Sequence, residues 1–431
     1  MYWTSTLTCS GPRISGILLH MHGSSATTPF VGLDVGTSAV RCVVGMVDPN
    51  TQGKVSIVGH GHARNIGMRR GIVVHIEDAA EAIVKALTEA ERVSGMRIQG
   101  VTVNINGVHV SGMNSKGVIA ISAVNREITP EDRMRAEEAA TIVQLPSNRE
   151  IIQVFAKNYR LDGQENIKDP VGMHGVRLEV DTHIVTAATP NLRNLDMALE
   201  KAQVAPHNHT LSSLAATEAV LGRQQKEAGT VLLDIGAGTT NLVVLEDGEV
   251  QHVAVLPIGG MHITNDLAIG LKTDLDIAEA AKVKFASLEG KASKRDIRIK
   301  MDNHEHLFKA EEVTMITEAR VEELFEYVQK ELVRIHRAHK LPGGVVLVGG
   351  TAKLPGIAEF AKEKLQLAAR VGKLQSATGL IDTVADPAYA AAVGLMMLDM
   401  LLVPEVQQSS MGQTGARALK MVDNLFSRFK H

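Results

Sequence analysis

Two aspartates, each ending an apolar run and each followed within a few residues by a glycine-threonine turn, are the residues of this chain best suited to chemistry on a polyphosphate. Asp34 stands in FVGLDVGTSAVR (30–41) and Asp234 in VLLDIGAGTTN (231–241). A polyphosphate needs backbone N–H groups crowded around it, glycines that let the chain approach, and a divalent cation to offset its charge. Strand, tight turn and returning strand make each segment a hairpin open to phosphate, with Gly36 in the first turn and Gly236 and Gly238 in the second. Thr37, Ser38, Thr239 and Thr240 add hydroxyl donors. Asp34 and Asp234 are expected to face each other across a cleft. There a carboxylate holds Mg²⁺ through its water shell, or orients an attacking water, better than it grips phosphate. A third segment, VVLVGGTAKLPG (345–356), sets Gly349, Gly350 and Thr351 between a buried strand and a helix starting near Gly356, a flat backbone surface for a purine.

One such turn alone is ordinarily a plain hairpin, and GG after a strand is ordinarily a turn. The set and its order are more specific. Two Asp-led glycine turns far apart, followed by the GG segment, resemble the superfamily of actin, sugar kinases and heat-shock chaperones. That resemblance implies an α/β fold of two duplicated ribonuclease H-like lobes with ATP between them.

Length and composition agree. At 431 residues the chain holds several packed units. With 45% hydrophobic residues and a net charge of −3, it reads as globular and not as a nucleic-acid-binding chain. Cys9 and Cys42 are the only cysteines, which excludes a disulfide framework and a cysteine-rich zinc site and favours a reducing compartment. The longest apolar stretch, 388–403, is interrupted by Gly394 and Asp399 and reads as a buried core helix, not a membrane span. The histidine pairs His20/His22, His60/His62, His207/His209 and His304/His306 lack the Cys or carboxylate spacing of structural zinc.

Periodicity predicts strands to about Gly61, a helix over 76–94 and a strand over 101–105. A helix over 130–144 and strands on either side then form an insert, before a helix near 191–203 resumes the lobe. Further helices are expected at 265–269 and 277–288. The expected organisation is an extension or overlong start at 1–28 and a first-lobe nucleotide-binding part at 29–106 with 190–227, interrupted by an insert at 107–189. The second-lobe counterpart covers 228–262 with 343–403, interrupted by a second insert at 263–342. A linker at 404–415 and an amphipathic helix at 416–431 follow.

GMRRGIVVHIED (67–78), GVRLEV and HIVTAA in the insert, LPIGGMHITNDLAIGLKT (256–273), TEARVEEL (317–324), VLVGGTAKLPG and DPAYAAAVGL (386–395) together resemble the FtsA family of bacterial division proteins, in family order from Phe30 onward. The position of the insert points to FtsA or its type IV pilus relative PilM. By this resemblance Arg41 falls where actin has a phosphate-contacting lysine, and a guanidinium can do that through paired N–H groups; the alternative is a solvated strand residue. Glu279 and Lys282, three apart on one helix face, fall where relatives contact ribose and adenine, the alternative being a surface ion pair. Gly260 caps the pocket. The family's LEPLAS reads LSSLAA here, with Ser212 in place of an acidic residue, and Ala237 and Asn241 depart from GGGTTD. ATP binding is therefore expected, with at most slow hydrolysis.

At the C terminus, ALKMVDNLFSRFKH places Leu419, Val422, Leu425, Phe426 and Phe429 in one helical stripe flanked by Arg417, Lys420, Arg428 and Lys430. By composition this is a membrane-surface helix, its lysines and arginines set among anionic headgroups. A single short helix binds weakly, so polymerisation would supply the copies for stable attachment. The family resemblance implies an actin-like protein that forms filaments on the cytoplasmic face of the membrane, tethers the tubulin-like protein FtsZ there by its C-terminal peptide, and helps assemble the septum. It places Arg320, in TEAR, near the FtsZ-peptide site, and it sends later division proteins to the 107–189 insert. The basic cluster 291–298 reads first as a solvated charge run, the alternative being that it steers the same peptide. A PilM-like pilus adaptor or a small-molecule kinase of the same superfamily are the rival readings. Neither requires the basic tail.

Overall fold

A computed structural model describes residues 29–47, 55–121, 127–290, 296–301, 304–375 and 377–406, without the side chains of 402–406. The extension 1–28, most of the basic cluster 291–298 and the whole amphipathic tail, Arg417 to Lys430 included, lie outside the described residues.

A strand that is apolar on both faces must be covered on both faces, and each lobe is built on such strands. In Phe30–Val35, the side chains of Val31, Leu33 and Val35 enter a core under the helix Ile76–Ser94. In Thr230–Ile235 and Gly344–Val348, Val231, Leu233, Ile235, Val345 and Leu347 enter the second lobe's own core, while Leu232, Val346 and Val348 turn to a core shared between the lobes. Period-two alternation thus gives each lobe an outer face and an interlobe face.

The first-lobe sheet has six strands in the order Ala205–Leu211, Gly100–Ile105, Phe30–Val35, Ala39–Val47, Val55–Arg64, Thr378–Gly379. The second has five: Glu249–Leu256, Thr240–Glu246, Thr230–Ile235, Gly344–Val348, Ala369–Val371. In both, an antiparallel hairpin meets a parallel strand, the duplication expected from the sequence. The helix Ile76–Ser94 has the predicted bounds and ends on Gly95 in the left-handed region at φ 70°.

The insert is a four-stranded antiparallel sheet, Ser111–Ala120, Arg177–Ala188, Arg149–Leu161 and Gln164–Ile167, under the helix Pro130–Ala140. That helix stops four residues short of the predicted 144, its last carbonyls accepting the N–H of Thr141; Pro146 disfavours helical backbone at Leu145. The insert leans on the second lobe as well as the first. His183 Nδ1 donates to Asn114 Oδ1 at 2.8 Å, and its Nε2 accepts the Val253 N–H at 3.0 Å. In the second lobe, the helix begun near 265 in the prediction starts at Gly260 (Gly260–Gly270), and Leu275–Phe285 and Ala310–Arg334 follow it.

Residues 378–406 do not complete the second lobe, where the sequence reading put 343–403. Thr378–Gly379 pairs with Val55–Arg64, and the helix Ala390–Val406 packs across the first-lobe sheet and against the interlobe helix Ser212–Val220. Two features decide this. Gly394 permits the helix crossing, since a Cβ there would lie 1.8 Å from the Ala215 carbonyl oxygen. Asp399, fully buried, accepts from the Val31 N–H at 2.9 Å and the Thr102 hydroxyl at 2.7 Å, and meets His207 Nδ1 at 3.0 Å. Among the described residues no helix is long and apolar enough to cross a membrane.

Candidate functional site

Side-chain alternation delivers both aspartates to the interlobe face. Leu33 and Val35 point into the first lobe's outer core, so Asp34 between them points to the cleft; Leu233 and Ile235 do the same for Asp234. The hairpins carry equivalent registers, with Asp34 opposite Arg41 and Asp234 opposite Asn241. Equivalent bonds close the turns, Gly36 N–H to the Ala39 carbonyl at 3.0 Å and Gly236 N–H to the Thr239 carbonyl at 2.9 Å.

Both carboxyls are 8% exposed. Burial pushes Asp34 up to about 7, opposed by the Arg41 guanidinium and reinforced by the charge of Asp234. Burial also raises Asp234, against Ser212, Asn241 and Arg41. Asn104, a polar residue in the apolar strand GVTVNI, holds Asp34 in place: its Nδ2 donates to Asp34 Oδ1 at 2.7 Å while its Oδ1 accepts the Val35 N–H at 2.7 Å. Asn241 Nδ2 reaches Asp234 Oδ2 only at 3.5 Å. Ser212 Oγ is buried beside Asp234 and favours its charged form, outside good hydrogen-bonding geometry. Arg41 Nε is likewise buried and unpartnered, and its guanidinium lies 5.6 Å from the Tyr389 ring centroid. Arg41 is therefore no solvated strand residue.

The two turns meet. A Cβ on Gly238 would lie 3.0 Å from Thr37 Oγ1 and 3.0 Å from the Cα of Arg70, in the GMRRG segment. Thr37 Oγ1 accepts the Gly71 N–H at 3.0 Å, leaving its own proton free to donate. Thr239 Oγ1 bridges the lobes to Asn106 Oδ1 at 3.3 Å, and Ser38 is exposed beside them. Thr240 does not join this group. Its hydroxyl is fully buried and donates to the Ile258 carbonyl at 2.8 Å, because alternation turns it away from the turn's open side.

On the far side, Gly236 O accepts the Gly260 N–H at 2.9 Å and the Thr351 hydroxyl at 3.1 Å, so Gly260 and Thr351 brace the second turn. Gly349, at φ 88°, allows the GG segment to reach the carboxylate: a Cβ there would lie 2.6 Å from Asp234 Oδ1. Gly350 has open space where a Cβ would be. Lys282 Nζ contacts Glu279 at 2.6 Å, Thr264 Oγ1 at 2.8 Å and the Gly260 carbonyl at 3.2 Å. The pair is thus an ion pair that is also tied to Gly260. Arg320 is already engaged, by Asp266 at 2.5 Å and by Glu323. Asn104, Asn106, Thr264, Arg70 and Tyr389 were not singled out from sequence; only Asn104 left a signal, a lone amide in an apolar strand.

Residues 107–186 match the family described as an SHS2 domain inserted in FtsA, and residues 231–394 the one described as Cell division protein FtsA. The chain is 36% identical over 371 residues to the Cell division protein FtsA of Pseudomonas aeruginosa, covering 85% of this chain and 88% of that protein. The chain belongs to the FtsA family of cell division proteins. The Bacillus subtilis member is also 36% identical over 371 residues, with 85% and 82% covered. Solved structures share the fold at low identity. The PilM-PilN type IV pilus biogenesis complex superposes with a TM-score of 0.62 at 18% identity, over 86% of this chain and 99% of that one. MreB5 of Spiroplasma citri, bound to ADP, gives 0.53 at 14%, over 89% and 99%. The fold is thus the actin-like one, with the FtsA-type insert in the first lobe.

Proposed function

We propose that this cell division protein binds ATP with Mg²⁺ between its lobes, polymerises on the cytoplasmic face of the cell membrane at the division site, and anchors FtsZ there by the FtsZ C-terminal peptide, with later division proteins meeting the insert. The observation that carries the nucleotide part is the mirrored pair of Asp-led hairpins converging on one cleft, with Arg41 Nε buried there without a partner. A buried polar atom without a protein partner ordinarily bonds to water or a ligand, so the residues fit the group. Mg²⁺, when bound, offsets phosphate charge and pulls both carboxyls into their ionised forms. Asp34 and Asp234 would hold it through water, Asn104 orienting the first. Thr37, Ser38 and Thr239 would donate to phosphate, with Gly36, Gly236 and Gly238 letting the backbone approach. The Gly349–Gly350 backbone, Glu279 and Lys282 would take the nucleoside end.

Ser212 and Asn241 bring no third carboxylate to the cleft, which supports binding with at most slow hydrolysis. Membrane attachment rests on the stripe and flanking cations of 416–431, and filament formation supplies the copies that a weak single helix needs.

The test is co-sedimentation with anionic liposomes and ATP, comparing the full chain with one ending at Gly415, each with and without FtsZ. The full chain alone should pellet and carry FtsZ down. If both remain in the supernatant with ATP bound, the tether fails, and a pilus adaptor or a kinase of the same fold becomes the better account.

A further inference from the structure

A triphosphate and two aspartates crowd negative charge into one cleft, and most nearby cations are already committed. Lys282 is paired with Glu279 at 2.6 Å, Lys353 with Asp386 at 2.8 Å, and Arg320 with Asp266 and Glu323. Arg41 faces Asp34 across the hairpin and stacks on Tyr389. Arg70 differs. It is exposed and, among the described residues, has no ion pair or hydrogen bond.

Its backbone position is built. Arg70 and Gly71 form the two-residue turn between Met68–Arg69 and Ile72–Val73, both in the left-handed region at φ 51° and 73°. Such turns favour Asn-Gly, and arginine gains nothing from the conformation. The turn is held between the two phosphate hairpins: the Gly71 N–H donates to Thr37 Oγ1 at 3.0 Å, and Arg70 N and Cα abut Gly238 so closely that a Cβ there would lie 3.1 and 3.0 Å from them. The charge is felt across the cleft. His262, in the second-lobe helix Gly260–Gly270, is held below its ordinary range by burial first and then by the Arg320 and Arg70 guanidiniums.

We propose that Arg70 is a cationic contact for the terminal phosphate of the bound nucleotide, reaching from the first lobe to the place where the two hairpins meet and so favouring a triphosphate over a diphosphate. This rests on the nucleotide reading above. A guanidinium there pairs with phosphate oxygens through two N–H groups.

The experiment is equilibrium binding of ATP and of ADP, each with Mg²⁺, to the parent chain, Arg70→Asn and Arg70→Lys. Asparagine tolerates the left-handed turn and removes the charge; lysine restores the charge without the fork. Arg70→Asn should weaken ATP by about tenfold or more, the scale of a lost charge-assisted bond, with ADP changed by less than about twofold and Arg70→Lys intermediate for ATP. ATP binding unchanged in Arg70→Asn, or ATP and ADP weakened in equal proportion, overturns the inference, the latter because it marks the turn as merely structural. A parent chain that binds neither nucleotide overturns the nucleotide reading itself, which this control separates from a failure at Arg70 alone.

Discussion

Asp34→Asn should stabilise the nucleotide-free protein at alkaline pH. The Asp34 carboxyl rises from 3.8 to about 7 in the folded protein, chiefly through burial. The folded chain therefore keeps a proton that the unfolded chain has released. The stability this group contributes is full below the unfolded value, and it is lost as pH rises through the folded one. Each unit is worth about 1.4 kcal/mol, so the whole shift costs about 4 kcal/mol, of which about 3 falls between pH 5 and pH 8. Asparagine has nearly the same shape and an oxygen to accept from Asn104, and it carries no charge at any pH. Arg41 loses a counter-charge in exchange, which offsets part of the gain. The stability of Asp34→Asn relative to the parent should thus grow by about 2–3 kcal/mol from pH 5 to pH 8, read from urea unfolding followed by circular dichroism without nucleotide. An increment equal at both pH values would refute the reasoning, because it would mean that the Asp34 proton does not differ between folded and unfolded chains.

Asp399→Ala strips an acceptor from two buried donors, the Val31 N–H and the Thr102 hydroxyl, and from half-buried His207, and should cost about 3 kcal/mol or more, whereas Asp399→Asn, which keeps an oxygen, should cost about half of that in the same unfolding assay. Gly394→Ala drives a methyl group toward the Ala215 carbonyl and should cost about 2 kcal/mol, with faster proteolysis of both lobes because the crossing lies at the interlobe helix. His183→Ala leaves the Val253 N–H buried and unsatisfied, costing about 1–3 kcal/mol; limited proteolysis should then cut the insert first. The His183 ring is held down to about 3 by burial and by the neighbouring His252 and Lys157 charges. Its junction should therefore weaken by about 1.4 kcal/mol for each unit that pH falls below about 6.5, down to about 3, and His183→Ala should flatten that dependence.

What the sequence alone determined is what local chemistry repeats. The apolar runs ending at Asp34 and Asp234 set the strands, and a side-chain period fixed at two then sets each carboxylate on the face opposite its apolar neighbours. Glycine and threonine after each aspartate set the turns, and the spacing of Ala79, Ile83, Ala86, Leu87 and Ala90 set the helix Ile76–Ser94. The membership of Gly36, Gly236, Gly238 and Gly349 in one cleft was legible from their order. Only the tertiary structure could decide contacts between elements distant in sequence, which leave no local period. It returned Ala390–Val406 to the first lobe through Gly394 and Asp399, turned the Thr240 hydroxyl inward to Ile258, and engaged Arg320 with its own carboxylates. It also brought the Arg70–Gly71 turn between Thr37 and Gly238. In each case the deciding quantity is a distance or a burial, and a chain of residue types carries neither until the lobes have packed.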